Sequence, residues 1–496
     1  MLFNSTDFFA FFGVFLLAWY LVRGDLGARN WLIVFASYIF YAWWDYRFTA
    51  LLLWSSVVDY AVAIGMGRVQ SSSSSFEATP SVPHVDNNDG DRSEDDKSSL
   101  RLRRKLLLLV SLVSNLGVLF FFKYFDFFRE SMRALLDQFG MQMNWTGLQF
   151  ILPVGISFYT FQTISYTVDV YRGRVEATRN FGQFLAYVAF FPQLVAGPIE
   201  RASHLLPQLA RKLTITLPMV ESGLWLFIWG LFKKVVLADS FGHLVDPVFS
   251  YVDPEATQTL IATVAFAFQI YCDFSGYTDM ARGMARMLGF DLMLNFNLPY
   301  FAISVQDFWR RWHISLSTWL RDYLYVPLGG NRLGVGRTHL NLLVVMLLGG
   351  LWHGAAWNFV AWGLWQAVGL MANRLWAERT FARPVRLPGA LNWLLTMLFV
   401  LYGWLLFRST SAEQVLVLTA SLAHWSPPIW AGAQFRELLF LAAPLVILQL
   451  FQWRTGDHEI VLRLPRWARG ALQAVLIYVI LLFWQREAAP FIYFQF

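Results

Sequence analysis

The stretch LLGGLWHGAAWNFVAWG, residues 347–363, is apolar enough for a membrane helix, yet it contains a histidine bracketed by glycines, alanines and tryptophans. His353 is the one titratable side chain in this stretch. Burying a polar group without a partner costs roughly 2–7 kcal/mol. Either packing between helices or a chemical role must offset this cost, and the rest of the sequence bears on the choice.

The composition is that of an integral membrane protein. Of the 496 residues, 57% are hydrophobic and only 15% are charged, whereas soluble domains carry roughly 25% charged residues. Apolar runs recur along the chain and predict an all-α polytopic protein with about ten to twelve transmembrane helices plus short, broken and interfacial helices. The predicted spans lie near residues 8–23, 31–44, 48–66, 106–122, 182–199, 219–240, 256–275, 340–375, 391–407, 434–452 and 470–485.

The charge distribution indicates topology. The net charge is +6, and in a membrane protein such an excess reports which loops are cytoplasmic, so we do not interpret it as nucleic-acid binding. The first apolar run lacks a basic region and a small-residue cleavage site, which predicts a retained first span. The single cysteine, Cys272, excludes an internal disulfide framework and a paired-cysteine metal site.

One insertion interrupts what is otherwise predicted to be a single membrane domain over residues 1–496. Residues 70–99 are rich in Ser, Asp and Pro. A segment with so few large apolar side chains cannot bury enough surface to offset the entropy of ordering. We predict a disordered cytoplasmic loop there.

Four segments place polar groups inside apolar runs, where ionisable residues are functional candidates by default. Residues 152–173 combine helix breakers with a polar face, which also suits a structural re-entrant turn. Residues 190–202 carry Glu200 and Arg201 after a proline break, which also suits an interfacial ion pair. Residues 270–290 hold Asp273, deep in an apolar run, and an Asp279, Arg282 and Arg286 ladder typical of helix stabilisation.

The fourth segment, residues 306–332, is predicted to be one amphipathic helix ending at Pro327. As a helix it places Trp309 and His313 on one face, and it suits an interfacial helix lying along the headgroups. Its arginines also suit an anionic ligand, because guanidinium groups hold phosphate well. The candidates for such contacts are Arg310, Arg311, Ser317 and Arg321.

Several common site types have no support in the sequence. There is no GxSxG serine-nucleophile turn, no phosphate-binding glycine loop, and no HExxH or other tight ligand cluster among the eight histidines. We therefore expect no metal site and no bound cofactor.

Four motifs together, FWRRWHISLSTWLRDYLYVPLGGNR, LGGLWHGAAWNFVAWG, YCDFSGYTDMARG and FPQLVAGPIER, resemble the membrane-bound O-acyltransferase family. The resemblance is strongest to the bacterial branch that O-acetylates alginate, cellulose and other exopolysaccharides, and it covers most of the chain. It implies a ring of helices around a central catalytic cavity, where a cytoplasmic acyl donor meets an outward-facing acceptor.

The resemblance assigns two histidines to the chemistry. His353 matches the buried catalytic residue of the family, and His313 matches its upstream polar partner. The residues agree with that role, because imidazole has an unperturbed pKa of about 6.5 and burial favours its neutral, proton-accepting form. Gly349, Gly350 and Gly354 leave room beside the ring for a substrate. Further candidates for lining the cavity or holding substrate are Asp273, Trp352, Trp357 and Asn358.

The function expected from the resemblance is transfer of acetyl from acetyl-CoA or another acyl carrier to an exported polysaccharide, directly or through a periplasmic acetyltransferase. The protein would then lie in the bacterial inner membrane, beside polysaccharide export machinery. Transfer of D-alanyl or another acyl group to an envelope polymer is the alternative within the family. A transporter of an anionic metabolite, using the intramembrane charges as its path, is an alternative of another class, and a non-catalytic scaffold is a third.

Overall fold

The computed structural model describes residues 1–74, 94–141, 151–194, 197–250, 254–377, 387–424, 431–485 and 489–494. These residues form helices and connecting turns, with no strand among them, so the predicted all-α class is confirmed. Seven of their helical stretches are long and apolar enough to cross a membrane. The count of ten to twelve spans and the ring arrangement stay predictions. The seven stretches are Leu26–Val69, Ser98–Gln138, Ala256–Met287, Val335–His353, Gly389–Arg408, Ala431–Thr455 and Arg466–Phe483.

The chain divides into two compact units. Unit 1 comprises Met1, Phe11–Val195 and Ile199–Leu213, and unit 2 comprises Leu2–Ala10, Ala196–Pro198 and Thr214–Phe496. All of the predicted site residues belong to unit 2. The prediction of a single domain stays a prediction.

Unit 1 is built from helices of the first part of the chain. They are α1 (Thr6–Val22, which begins in unit 2), α2 (Leu26–Asp45), α3 (Thr49–Ser74), α4 (Glu94–Leu119), α5 (Phe125–Gln138), α6 (Ile156–Tyr171), α7 (Phe181–Ala189), α8 (Phe191–Leu194) and α9 (Ala202–Ala210). Helices α3 and α4 extend into both ends of the predicted 70–99 loop, and residues 75–93 lie outside the described residues.

One prediction in unit 1 needs correction. The predicted span 182–199 is not one helix, because α7 ends at Ala189 and Phe190 leaves the helical conformation (φ −51°, ψ 104°). The carboxylate of Glu200 lies 2.8 Å from Nδ1 of His204, one turn along the chain, so His204 is one partner of Glu200, and the pair with Arg201 stays a prediction. The predicted break before α6 is confirmed, since Gly155 has φ 74° and the helix begins at Ile156.

Unit 2 holds the remaining helices. They are α10 (Leu217–Phe232), α11 (Asp239–Val245), α12 (Ala256–Met287), α13 (Val305–Arg311), α14 (Ile314–Leu320), α15 (Val335–His353), α16 (Trp357–Ala377), α17 (Gly389–Arg408), α18 (Ala412–Ser421), α19 (Ala431–Thr455) and α20 (Arg466–Phe483). Two π-helical segments, Lys233–Ala238 and Arg321–Tyr325, continue α10 and α14.

Glycines allow the central helices of unit 2 to pack backbone against backbone. A Cβ on Gly230 would lie 2.6 Å from the carbonyl oxygen of Gly276, and one on Gly283 would lie 2.5 Å from that of Gly223. Both pairs join α10 to α12. Small residues at such contacts are how membrane helices gain close van der Waals packing.

The Asp279 ladder predicted on α12 is only half formed. Arg282 lies 3.6 Å from Asp279, as predicted, but Arg286 pairs with Glu459 and also contacts Ser222. The second ion-pair partner of Asp279 is Lys233, whose Nζ lies 2.7 Å from the carboxylate. Partners from elements distant in the sequence therefore complete the network.

Candidate active site

His353 is the last residue of α15. Gly354 takes an extended conformation (φ −162°, ψ 149°), and α16 begins only at Trp357. The predicted continuous helix through residues 340–375 is therefore broken at the histidine. This break directs the imidazole into the interior of unit 2 rather than leaving it on the side of a helix, and the residue is only 4% exposed.

Aromatic rings enclose the His353 imidazole. Its centroid lies 5.0 Å from the Trp362 ring, 5.1 Å from Trp352, 5.3 Å from Phe407 and 5.4 Å from Tyr493. These rings come from α15, α16, α17 and residues 489–494, here called the C-terminal segment. Together they form what we call the aromatic pocket. Such a wall excludes water and lowers the local dielectric, which strengthens every electrostatic interaction made inside it.

His313 lies between α13 and α14, in the left-handed conformation (φ 43°) and fully buried. The prediction of one helix through 306–332 is therefore wrong. Two backbone hydrogen bonds stabilise the turn between α13 and α14. Asn297 N–H donates to the Arg311 carbonyl at 2.9 Å, and Ile314 N–H donates to the Asn295 carbonyl at 2.9 Å. Left-handed backbone is costly for a non-glycine residue and concentrates at functional sites.

The structure brings the two predicted histidines to the same aromatic pocket. The His313 ring lies 5.7 Å from Trp352, which also contacts His353. The His313 ring centroid also lies 4.6 Å from that of Phe274. Burial lowers the pKa of the His313 imidazole to about 3, because desolvation disfavours the charged ring. This histidine is accordingly neutral at physiological pH.

Tyr493 completes the pocket and was not among the residues predicted from the sequence. Its ring lies 4.8 Å from Phe274 as well as 5.4 Å from His353. Its hydroxyl is buried, and no hydrogen-bond partner for it lies in the described part of the chain. Only the aromatic character of the terminal segment PFIYFQF hinted at a packed element, and nothing in it indicated a site.

Asp273 holds that C-terminal segment in place rather than facing the pocket. Its carboxylate accepts a hydrogen bond from the backbone N–H of Ile492 at 2.6 Å and lies 2.9 Å from the Lys234 ammonium. Lys234 also pairs with Asp239 at 2.7 Å. Asp273 was predicted to contact substrate. It instead forms an ion pair with Lys234 and holds the backbone next to Tyr493.

The glycines beside His353 serve helix packing, which corrects the prediction of open space. A Cβ on Gly350 would lie 2.2 Å from the Phe359 carbonyl oxygen, and one on Gly354 would lie 2.1 Å from the Phe359 ring. Gly349 faces Leu320. Helix α16, together with Leu320 of α14, therefore occupies the room that the sequence suggested for a substrate.

The other predicted residues separate into two groups. Trp352 is buried between the histidines, whereas Trp357 is 65% exposed and Asn358 donates to the Phe407 carbonyl at 3.3 Å. These last two do not line the aromatic pocket. Among the arginines, Arg310 is exposed and Arg311 pairs with Asp307 at 2.9 Å.

Ser317 and Arg321 line one cavity of about 490 Å³. Apolar side chains of α14, α15 and α16 form part of its wall, and polar groups, including Asn331, Asn373 and Arg374, form the remainder. Trp309 lines it as well and packs 5.8 Å from Trp362, which contacts His353. The indole rings of Trp309 and Trp362, here called the indole layer, therefore link this cavity to His353 through direct ring contacts.

Comparison with known proteins identifies the family of this chain. The family model described as the membrane-bound O-acyltransferase family matches residues 175–412, a range that includes both histidines. The protein called "Probable alginate O-acetylase AlgI" in Azotobacter vinelandii is 41% identical, over 83% of this chain and 76% of its own length. The chain belongs to the membrane-bound O-acyltransferase family.

Two relatives match this acyltransferase over its whole length. The Pseudomonas putida protein of the same name is 36% identical over 100% of both chains. The "Peptidoglycan O-acetyltransferase" of Helicobacter pylori is 31% identical over 100% of this chain and 98% of its own. This acyltransferase is therefore a multi-pass membrane enzyme, and the transporter and scaffold interpretations are set aside.

Proposed function

We propose that this enzyme transfers an acetyl group from a cytoplasmic thioester donor, acetyl-CoA or another acyl carrier, to hydroxyls of an exported polysaccharide. The site lies in the bacterial inner membrane, and transfer is direct or passes through a periplasmic acetyltransferase. The observation that carries the proposal is the pair of buried histidines, His313 and His353, on either side of Trp352. The names of the relatives support acetyl as the group and a polysaccharide as the acceptor.

His353 is the proposed general base. The acceptor hydroxyl oxygen attacks the thioester carbonyl carbon while the imidazole takes the hydroxyl proton. The carbon–sulfur bond then breaks, and the imidazolium gives this proton to the thiolate leaving group, so the histidine ends neutral. A neutral imidazole near a working pH of 7 suits this step, which typically contributes about 10²–10⁴-fold in rate.

Tyr493 is proposed to donate a hydrogen bond from its hydroxyl to the substrate. Its hydroxyl is buried, and its ring centroid lies 5.4 Å from that of the imidazole. A donor held in a water-excluded pocket stabilises negative charge as it develops on the carbonyl oxygen, because no solvent competes and no reorganisation is needed.

The 490 Å³ cavity is the proposed binding site of the acyl donor. Its apolar wall suits a thioester arm, and Arg321 and Arg374 suit the anionic groups of the carrier. The indole layer of Trp309 and Trp362 would then form the boundary through which the thioester reaches His353.

The test is acetyl transfer by purified protein in liposomes, with labelled acetyl-CoA and an oligosaccharide acceptor. We expect His353→Ala to abolish transfer while the protein stays folded in the membrane. His339→Ala is the matched control, because His339 lies on the same helix but outside the aromatic pocket. Transfer that persists in His353→Ala would refute the catalytic assignment. Transfer of D-alanyl from a carrier protein, in place of acetyl, would support the alternative within the family.

A further inference from the structure

Two segments of unit 2 meet at His313 and are joined by their backbones. The carbonyl of Asn295 accepts from Ile314 N–H, and the N–H of Asn297 donates to the Arg311 carbonyl, both at 2.9 Å. These bonds need no particular side chain at position 295. The Asn295 side chain is nevertheless fully buried and turned toward the histidine.

The backbone of Ser315 identifies which atom of the Asn295 amide faces the turn. Its N–H lies 3.1 Å from Oδ1 of Asn295, and a backbone N–H can only donate. The facing atom is therefore the carbonyl oxygen. The Ser315 hydroxyl, 3.0 Å from the same atom, agrees with this orientation.

The amide oxygen in turn determines where His313 carries its proton. Nδ1 of His313 lies 3.2 Å from Oδ1 of Asn295. An amide oxygen only accepts, so Nδ1 must be the donor. A neutral imidazole has a single N–H, and the ring is neutral because burial disfavours the charged form. Nε2 accordingly holds a lone pair.

We infer that Asn295 is a positioning residue, which holds His313 in the Nδ1–H form so that Nε2 accepts a hydrogen bond from a substrate hydroxyl other than the one that His353 deprotonates. The inference rests on the proposed function for the role of Nε2. The tautomer itself follows from these hydrogen bonds together with the burial that keeps the ring neutral. In functional histidines generally, the hydrogen bond made by one ring nitrogen sets the tautomer of the ring and the state of the other nitrogen.

The first experiment reads the tautomer directly and does not depend on activity. Protein labelled with ¹⁵N in its histidine rings is compared with the same preparation of His313→Gln, and the signals lost in the variant belong to His313. We expect a protonated Nδ1 and an unprotonated Nε2 at pH 7. The opposite tautomer, or a doubly protonated ring, would overturn the inference.

The second experiment tests the positioning role with three variants. Asn295→Leu keeps the shape and removes the acceptor, and we expect kcat to fall about 100-fold, with the KM for the acyl donor unchanged. Asn295→Asp keeps an acceptor for Nδ1–H, and we expect it to restore activity. The acidic limb of its pH profile should move to higher pH, because a carboxylate favours the imidazolium. Asn297→Leu is the matched control, since that amide contacts His458 and not His313.

The outcomes separate this inference from the proposed function. If Asn295→Leu keeps the wild-type kcat while His313→Ala and His353→Ala are inactive, the role of Asn295 is refuted and the proposed function stands. If His353→Ala is active, the proposed function fails, whatever the Asn295 variants do. An Asn295→Asp protein that is folded but as inactive as Asn295→Leu would also overturn the positioning role.

Discussion

The rings of His353 and Tyr493 lie 5.4 Å apart, one at the end of α15 and the other in the C-terminal segment. The neighbouring residue Ile492 donates its backbone N–H to Asp273, which is paired with Lys234. The ion pair of Asp273 with Lys234 therefore helps to fix the backbone next to Tyr493, whose ring contacts that of the proposed base. The chemistry of the pocket depends on charges that never face a substrate.

Replacing Tyr493 by Phe should separate the contribution of the hydroxyl to acetyl transfer from that of the aromatic ring to packing. The ring packing against Phe274 and His353 is retained, so the melting temperature should stay the same or rise, because a buried hydroxyl is removed. We expect acetyl transfer to fall about 100-fold, as when a donor to a developing oxyanion is lost. Tyr478→Phe, at a site 63% exposed, is the control. Unchanged transfer in Tyr493→Phe would show that the hydroxyl takes no part.

Lys234→Met should destabilise unit 2. The substitution leaves Asp273, which is buried, and Asp239, which is half-buried, without their shared cation. Breaking a buried pair from one side costs about 3–5 kcal/mol, because the remaining charge is uncompensated. Thermal unfolding in detergent would reveal this as a lowered melting temperature. Adding Asp273→Asn to Lys234→Met should recover part of the loss, and a double variant less stable than the single one would contradict the pairing.

Acid should destabilise the protein through His313. The pKa of this imidazole is about 3 in the folded protein and about 6.5 in an unfolded chain. Between these values the unfolded chain binds a proton that the folded one excludes, so stability is lost as pH falls below about 6.5. The slope from this group approaches about 1.4 kcal/mol per pH unit. Unfolding in urea at pH 7 and pH 5 measures it, and His313→Gln should show a weaker pH dependence than the wild type. Equal slopes in the two proteins would contradict the buried neutral ring.

Gly350→Ala should force α15 and α16 apart. The added methyl would meet the Phe359 carbonyl oxygen at 2.2 Å, and Gly363 lies directly behind it. Overpacking of this kind costs about 1–3 kcal/mol, and the displacement would also move His353, three residues along the helix. Gly336→Ala on the same helix is the control, since nothing lies within 4 Å of its added methyl. We expect lower thermal stability and lower transfer in Gly350→Ala only.

Much of the class and the chemistry could be predicted from local patterns. Apolar run length predicts membrane helices, because each span must satisfy its backbone hydrogen bonds internally. The resemblance to the acyltransferase family assigned both histidines, and His353 also stands out as a polar exception within an apolar motif. Such signals need no knowledge of what lies across the fold.

The amino-acid sequence by itself determined that this chain is a helical membrane protein, and its motifs pointed to an acyltransferase with His313 and His353 at its site. Only the tertiary structure decided that Asp273 pairs with Lys234, that Gly350 packs against α16, and that Tyr493 and Asn295 adjoin the histidines. The physical reason is that periodicity records which residues share a helix face. The partner that each face meets comes from a segment distant in the sequence, and it is selected by packing and by the cost of burying polar groups unpaired.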